Sequence, residues 1–273
     1  MKRGFLNPNI VLKLKMISMK SKFIYLFMVL LIMVAACKKN TFNVTDPQSV
    51  DGKALVKIGL FNMTTTSTPL LIFANGQRIS GALSSPNAFP GGGFNAPSQV
   101  SNGDYFAVAP GDNKLEFYTT NFGTANIISK IFETTQNLEA NKKYTVYITD
   151  TAANIKAIKA PDNANTPDSG LARIRFTNLI PNSGSVDFYK GNTLVKAAVN
   201  YKDFTDFIDV PSSIVDTFSI RIAGTPAGPA ITSIAYLRMI VNTNQRIYSF
   251  VSRGYLGAPE VLRKPNVSAF VNQ

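Results

Sequence analysis

The sequence predicts an all-β fold: two tandem Ig-like antiparallel β-sandwich domains behind an N-terminal signal segment. Three observations predict it. Short apolar runs alternate with turn residues, and no long stretch keeps a helical period. Aromatic and turn-forming residues are abundant, with Phe 19, Tyr 10, Gly 18 and Pro 15 among 273 residues, as many short strands require. Landmarks of the first half recur in the second.

The N-terminus reads as an address. Phe23 to Ala36 (FIYLFMVLLIMVAA) is an uncharged apolar run of fourteen residues. A spanning helix needs about 20. Lys20 and Lys22 precede the run, and Ala35 and Ala36 end it. Basic flank, apolar stretch and small-residue end make a secretory signal peptide. The only cysteine, Cys37, follows. Val34-Ala35-Ala36-Cys37 resembles a bacterial lipobox, whose thiol takes a thioether-linked diacylglycerol. Buried acyl methylenes at about 0.8 kcal/mol each then anchor the chain without a spanning helix. MKSKFIYLFMVLLIMVAAC is already a complete signal, so Met19, or Met16 upstream, stands as an alternative start. By resemblance to lipoprotein sorting rules, Lys38 after the cysteine implies the outer membrane. Lys38-Lys39-Asn40 lacks the acidic surface-export pattern, so cell surface and periplasmic face both stay open.

Residues 38–52 (KKNTFNVTDPQSVDG) are polar and read as a flexible tether. Beyond it, the first half offers strands at 54–62, 69–74, 77–83, 104–109, 114–119, 127–133, 143–149 and 155–158. Asn75-Gly76 between two of these runs is a two-residue hairpin turn, because both residues tolerate positive φ. In KYTVYIT, Tyr144, Val146 and Ile148 share one face, the pattern of a half-buried strand.

The second half repeats the plan. ALVKIGLFN at 54–62 matches ARIRFTNL at 172–179. NKKYTVYIT at 141–149 matches NQRIYSFVS at 244–252. The offset falls from 118 residues (172 against 54) to 103 (244 against 141), so the first copy is 15 residues longer. The surplus is expected in 84–101. The expected layout is signal peptide 1–36, lipidated cysteine and tether 37–52, first sandwich 53–159, linker 160–170 and second sandwich 171–273. The linker APDNANTPDSG holds two prolines and few apolar residues.

Ala172-Arg173-Ile174-Arg175-Phe176, Ser185-Val186-Asp187-Phe188-Tyr189 and Tyr248-Ser249-Phe250-Val251 together resemble the bacterial lipoprotein family called domain of unknown function 4397. The resemblance implies tandem β-sandwich modules in the cell envelope and no settled activity. Leu70-Leu71-Ile72-Phe73 lacks the aspartate of the matching strand.

Composition removes most catalytic schemes. There is no His, which excludes a Ser-His-Asp triad and histidine metal ligands. One Cys allows no internal disulfide. The net charge of +12 is partly the signal: residues 1–36 carry six basic residues and no acid, leaving 22 basic against 16 acidic. Those charges are dispersed, so no nucleic-acid stripe is expected. Asp203, Asp206 and Asp209 do not share one strand face and read as edge or turn residues. Asp187 reads as a turn cap or backbone acceptor. Asp162 to Asp168 lacks the glycine and closing glutamate of an EF-hand loop, and no metal or cofactor is expected. Gly91-Gly92-Gly93 between Phe89 and Phe94 offers a loop that could present aromatic faces to a ligand. Asp150-Thr151-Ala152 resembles an envelope O-glycosylation pattern.

The expected function is a non-catalytic envelope lipoprotein, held to the membrane by its N-terminal lipid. Its two modules would act as a spacer or binding unit for an envelope protein or glycan. The alternative is a structural subunit or anchor of a surface fibre joined by β-strand addition, with the tail 267–273 free to complete a sheet.

Overall fold

The computed structural model describes residues 49–61, 68–91, 100–101, 103–121, 126–225 and 234–272. The signal segment, Cys37 and most of the tether lie outside these residues. Residues 50–273 form one compact unit.

The first half contains β1 (Ala54–Leu60), β2 (Leu70–Ala74), β3 (Gln77–Arg78), β4 (Asn87–Phe89), β5 (Val100–Ser101), β6 (Phe106–Val108), β7 (Gly111–Thr120), β8 (Ile127–Leu138), β9 (Lys143–Thr149) and β10 (Lys156–Pro161). The second contains β11 (Leu171–Asn178), β12 (Val186–Lys190), β13 (Thr193–Val199), β14 (Ile208–Pro211), β15 (Asp216–Ile222), β16 (Ala235–Met239), β17 (Ile247–Arg253) and β18 (Asn266–Val271).

These strands build four sheets, and each half is a β-sandwich. In the first, sheet β3-β2-β7-β8 faces sheet β10-β9-β1-β4, with β6 also on β1. In the second, sheet β13-β12-β15-β16 faces sheet β14-β11-β17-β18-β5. The repeat is visible in the pairings. β1 runs parallel to β9, and β11 runs parallel to β17. β2 pairs β7 as β12 pairs β15. These parallel pairs are exceptions to the antiparallel pattern expected throughout. The Asn75-Gly76 turn between β2 and β3 has φ of 51° and 78° at its two residues, as the hairpin reading requires.

The surplus of the first half is partly β4 and β5. β4 lies against the end of β1, pairing Ile58 with Phe89 and Leu60 with Asn87. Among the described residues the second half has a single bridge there, Thr177 to Phe204. β5 leaves its own half and pairs in parallel with β18 of the other.

Period-2 alternation then explains the layers. Val56, Ile58 and Leu60 of β1 and Tyr144, Val146 and Ile148 of β9 enter the first core with Leu70, Ile72, Leu115 and Phe117. Phe176, Phe188, Phe218 and Phe250 stack in the second core. Phe176 and Phe188 lie 4.4 Å apart at 7°, and Phe218 and Phe250 4.1 Å apart.

The opposite faces are not wet. β9 is buried from Tyr144 through Thr149, where sequence predicts only one buried face. Its second face packs on the other sandwich. Phe61, Ala88, Tyr147, Ile158, Ala160, Leu179, Val251 and Phe270 form a third core between the two inner sheets. The ring centroids of Phe61 and Tyr147 each lie 5.9 Å from that of Phe270. Gly59 has no side chain because the rings of Phe270, Phe61 and Tyr147 would each stand 3.0 Å from a Cβ.

The tail expected to complete another sheet is already inside its own. β18 pairs along its whole length with β17, and Val267 to Phe270 are fully buried. Strand donation by this tail would therefore break the second core.

Replacing Phe270 with Ala removes the ring shared by Phe61 and Tyr147. It is expected to cost about 3–5 kcal/mol. Calorimetry should show two separated unfolding transitions where the parent shows one.

Candidate functional site

The seam between the sandwiches carries the molecule's main cluster of buried charge. β1 supplies Lys57 and β11 supplies Arg175, and both are essentially inaccessible to solvent. In the repeat, ALVK aligns with ARIR, so the two cations hold equivalent positions. Each points away from its own core because each is one residue out of phase with the apolar face.

One carboxylate lies between them. Asp162 follows β10 and is itself buried. Its Oδ1 accepts a hydrogen bond and ion pair from Arg175. Its Oδ2 accepts from the Tyr105 hydroxyl at 2.9 Å and from Thr145. Arg175 also donates to Ser249 Oγ at 2.9 Å and to the Pro161 carbonyl. Its guanidinium sits 4.8 Å from the Phe207 ring centroid. Thus the segment read as a polar linker begins inside β10 and supplies the counter-ion of the seam.

Lys57 is less well served. Its Nζ donates to the Val271 carbonyl at 3.1 Å and to Asn272 Oδ1 at 3.4 Å, and lies 4.4 Å from the Tyr105 ring centroid. Burial lowers its pKa to about 8, with Asp162 opposing and Arg175 reinforcing the shift. Burial, then Asp162, pushes the Tyr105 hydroxyl far up. Burial also raises Tyr147.

A second hub joins the far end of the seam. Asp150 Oδ1 accepts from the Tyr255 hydroxyl at 2.6 Å, and Oδ2 from the Tyr201 hydroxyl at 3.2 Å. Burial and this carboxylate raise Tyr255 to about 12. Asp150, singled out by a glycosylation-like pattern, is a seam residue.

Above the first hub the seam opens to solvent as two adjoining hollows. One, of about 460 Å³, is lined by Lys143, Asn163, Asn165, Arg173, Phe207 and Asp209 among others. The other, of about 690 Å³, includes Asp104, Tyr105, Asn242, Arg246 and Tyr248. They share Lys143 and Asn272. The wall is fixed from both sides. Asn163 Oδ1 accepts from the Lys143 backbone N–H at 2.8 Å, and the Asn165 carbonyl accepts from Arg173 at 2.7 Å. Arg173 also makes a two-point contact with Asp209, at 2.7 and 2.8 Å. Of the three carboxylates lining the cleft, two are therefore held by arginines.

The aromatic loop chosen from sequence is only partly described. Gly92, Gly93 and Phe94, like Cys37, lie outside the described residues. Phe89 is half-buried in β4, 5.6 Å from Phe106 at the margin of the first core. Gly91 has φ of 118°, and a Cβ there would meet Gly103 Cα at 2.9 Å. Asp187 acts as a backbone acceptor, taking the N–H of Ala198 at 2.8 Å and of Gly224 at 3.0 Å. Asp203 accepts from Asn200 at 3.0 Å, an edge contact. Sequence reading missed the seam cluster. Its signal was a lone cation inside each of two matching apolar strands.

The family model described as Domain of unknown function (DUF4397) matches residues 56–189. The chain resembles that family from β1 through most of β12. Ala172 to Phe176 and Ser185 to Tyr189 fall within the match, and Tyr248 to Val251 outside it. No curated protein matches the chain. Among solved structures, it is 14% identical to a chain from work on alpha-glucan recognition by family 41 carbohydrate-binding modules of streptococcal virulence factors. That likeness covers 79% of this chain and 96% of the other, with a TM-score of 0.22. A leucine-rich repeat protein from Bacteroides thetaiotaomicron is 11% identical over 76% of this chain and 26% of its own, with a TM-score of 0.21.

Replacing Asp162 with Asn leaves Arg175 buried without its counter-charge. The expected loss is about 3–5 kcal/mol by urea denaturation. Lys57 gives a pH signature. Its folded pKa lies below the ordinary 10.5, so the unfolded chain binds more protons between about pH 8 and 10.5. Its contribution to stability therefore rises with pH across that window. Lys57→Met should be more stable than the parent at pH 7, with the gap narrowing by pH 9.5.

Proposed function

We propose that the protein is a non-catalytic, lipid-anchored binding module of the bacterial outer membrane. Two sandwiches locked at their seam hold a polar cleft open for a glycan or protein of the envelope. The observation that carries this reading is the cleft itself. Its walls come from both halves, and the buried Arg175–Asp162 pair beneath it fixes their spacing. Hollows of this size lie within the usual range for ligand sites, about 300–1,000 Å³.

The carboxylates of the cleft support a non-catalytic reading. Acid–base hydrolysis of glycosides needs two available carboxylates across the scissile bond. Asp162 and Asp209 are committed to Arg175 and Arg173, which leaves Asp104 on the rim. No metal, cofactor or nucleic acid is required. The anchor rests on the lipobox-like residues ending at Cys37 and on the apolar run before them. Among the described residues no helix is long and apolar enough to cross a membrane.

Two measurements test the reading. Fractionation should find the parent chain with outer membranes and Cys37→Ala in the soluble fraction; a membrane-bound variant would overturn the lipid anchor. Hydrogen exchange with solubilised envelope glycans or proteins should protect the backbone near Asp104, Lys143 and Asn163. Unchanged exchange there with every fraction would overturn the cleft.

A further inference from the structure

We infer that the cleft takes an acidic saccharide, whose carboxylate is held by Lys143 and Arg246 and whose hydroxyls meet Asn163, Asn165 and Asn242. This rests on the binding role proposed above and names its ligand class.

The charges of the cleft divide into spent and unspent. Arg173 and Arg175 are neutralised by Asp209 and Asp162. Lys143 and Arg246 have no carboxylate at ion-pair distance among the described residues. Lys143 borders both hollows, and Arg246 the larger. Asp104 is the single acid left to oppose them, so the open surface is net positive. A guanidinium offers a planar fork that fits a carboxylate, and an ammonium adds a compact charge.

The amides decide what kind of anion fits. Asn163 and Asn242 use their carbonyl oxygens inside the protein, toward the N–H groups of Lys143 and Asn244. Their NH₂ groups donate to nothing among the described residues, and the Asn165 side chain makes no hydrogen bond there. Amide groups matched to hydroxyls, which both donate and accept, suit a sugar ring. A peptide would instead call for apolar side-chain pockets, and the smaller hollow is lined mainly by charged and amide groups.

The test is calorimetric titration of the full chain in detergent with trigalacturonic acid, its carboxyl-reduced twin and hexaglutamate. The acid should bind. Arg246→Gln and Lys143→Gln should each weaken it about tenfold, and the reduced twin should be weaker by a similar factor. Lys156→Gln, an exposed charge removed away from the cleft, should change affinity by less than about twofold. Thermal melts confirm that each variant is folded. Equal binding of the acid and its reduced twin would overturn the carboxylate assignment and leave the binding role standing. Hexaglutamate binding with the same variant dependence, without the trisaccharide, would overturn the saccharide in favour of an acidic peptide. Equal loss in Lys156→Gln would overturn the site. Absence of binding to all three would overturn the ligand class; unchanged exchange with every envelope fraction as well would overturn the binding role.

Discussion

An arginine enclosed between two β-sheets is tolerated only when a carboxylate meets it, because an unpaired buried charge is heavily penalised. Arg175 and Asp162 satisfy that condition across the seam. Arg175 belongs to an inner strand of the second sandwich, and Asp162 leaves the last strand of the first. Thr145, Tyr105, Ser249 and the Pro161 carbonyl supply further hydrogen bonds to the pair. The pair is directional where the rings of Phe61, Tyr147 and Phe270 are not. Apolar packing favours contact between the sheets, and the ion pair selects one register for that contact. Lys57, the equivalent cation of the first repeat, has no acid of its own. Its pKa is lowered by burial, with Asp162 opposing the shift and Arg175 reinforcing it.

This arrangement changes what the linker does. A polar segment between two modules usually permits relative motion. Here its first residues are drawn into the seam, and its asparagines form one wall of the cleft. Folding energy and binding surface thus share the same short stretch of chain. The cleft exists because the modules are docked, and neither sandwich alone carries both walls.

Much of the fold was legible. The alternation in KYTVYIT, the Asn75-Gly76 turn and the paired landmarks ALVK and ARIR each correspond to a real element. The repeat is reproduced down to its parallel strand pairs. What escaped was the second burial face. Thr145, Tyr147 and Thr149 read as a solvent face because threonine and tyrosine are common on one. They became interior only through a partner sheet that includes β11, β17 and β18 of the second half. The seam cations were visible as charges interrupting apolar strands, yet local pattern cannot tell a solvated lysine from a buried one. β13 escaped for the opposite reason: as an edge strand it carries exposed residues at most positions and little periodic signal. Asp187 was read correctly because a strand aspartate must satisfy its oxygens nearby.

The excursion of β5 has a consequence for how the molecule is made. Val100 and Ser101 belong to the first half by sequence, but their sheet partners are Ala269 and Phe270. Between them, nearly the whole second sandwich must be synthesised. A nascent chain can close the first core early, as the ribosome works onward, while β5 waits beside an edge that does not yet exist. β18 is the last described strand to emerge, and it supplies both that edge and the ring that closes the seam. β5 can therefore take its place in a sheet only once β18 has been made. A truncation that spares the first sandwich entirely would still leave its β5 without a sheet.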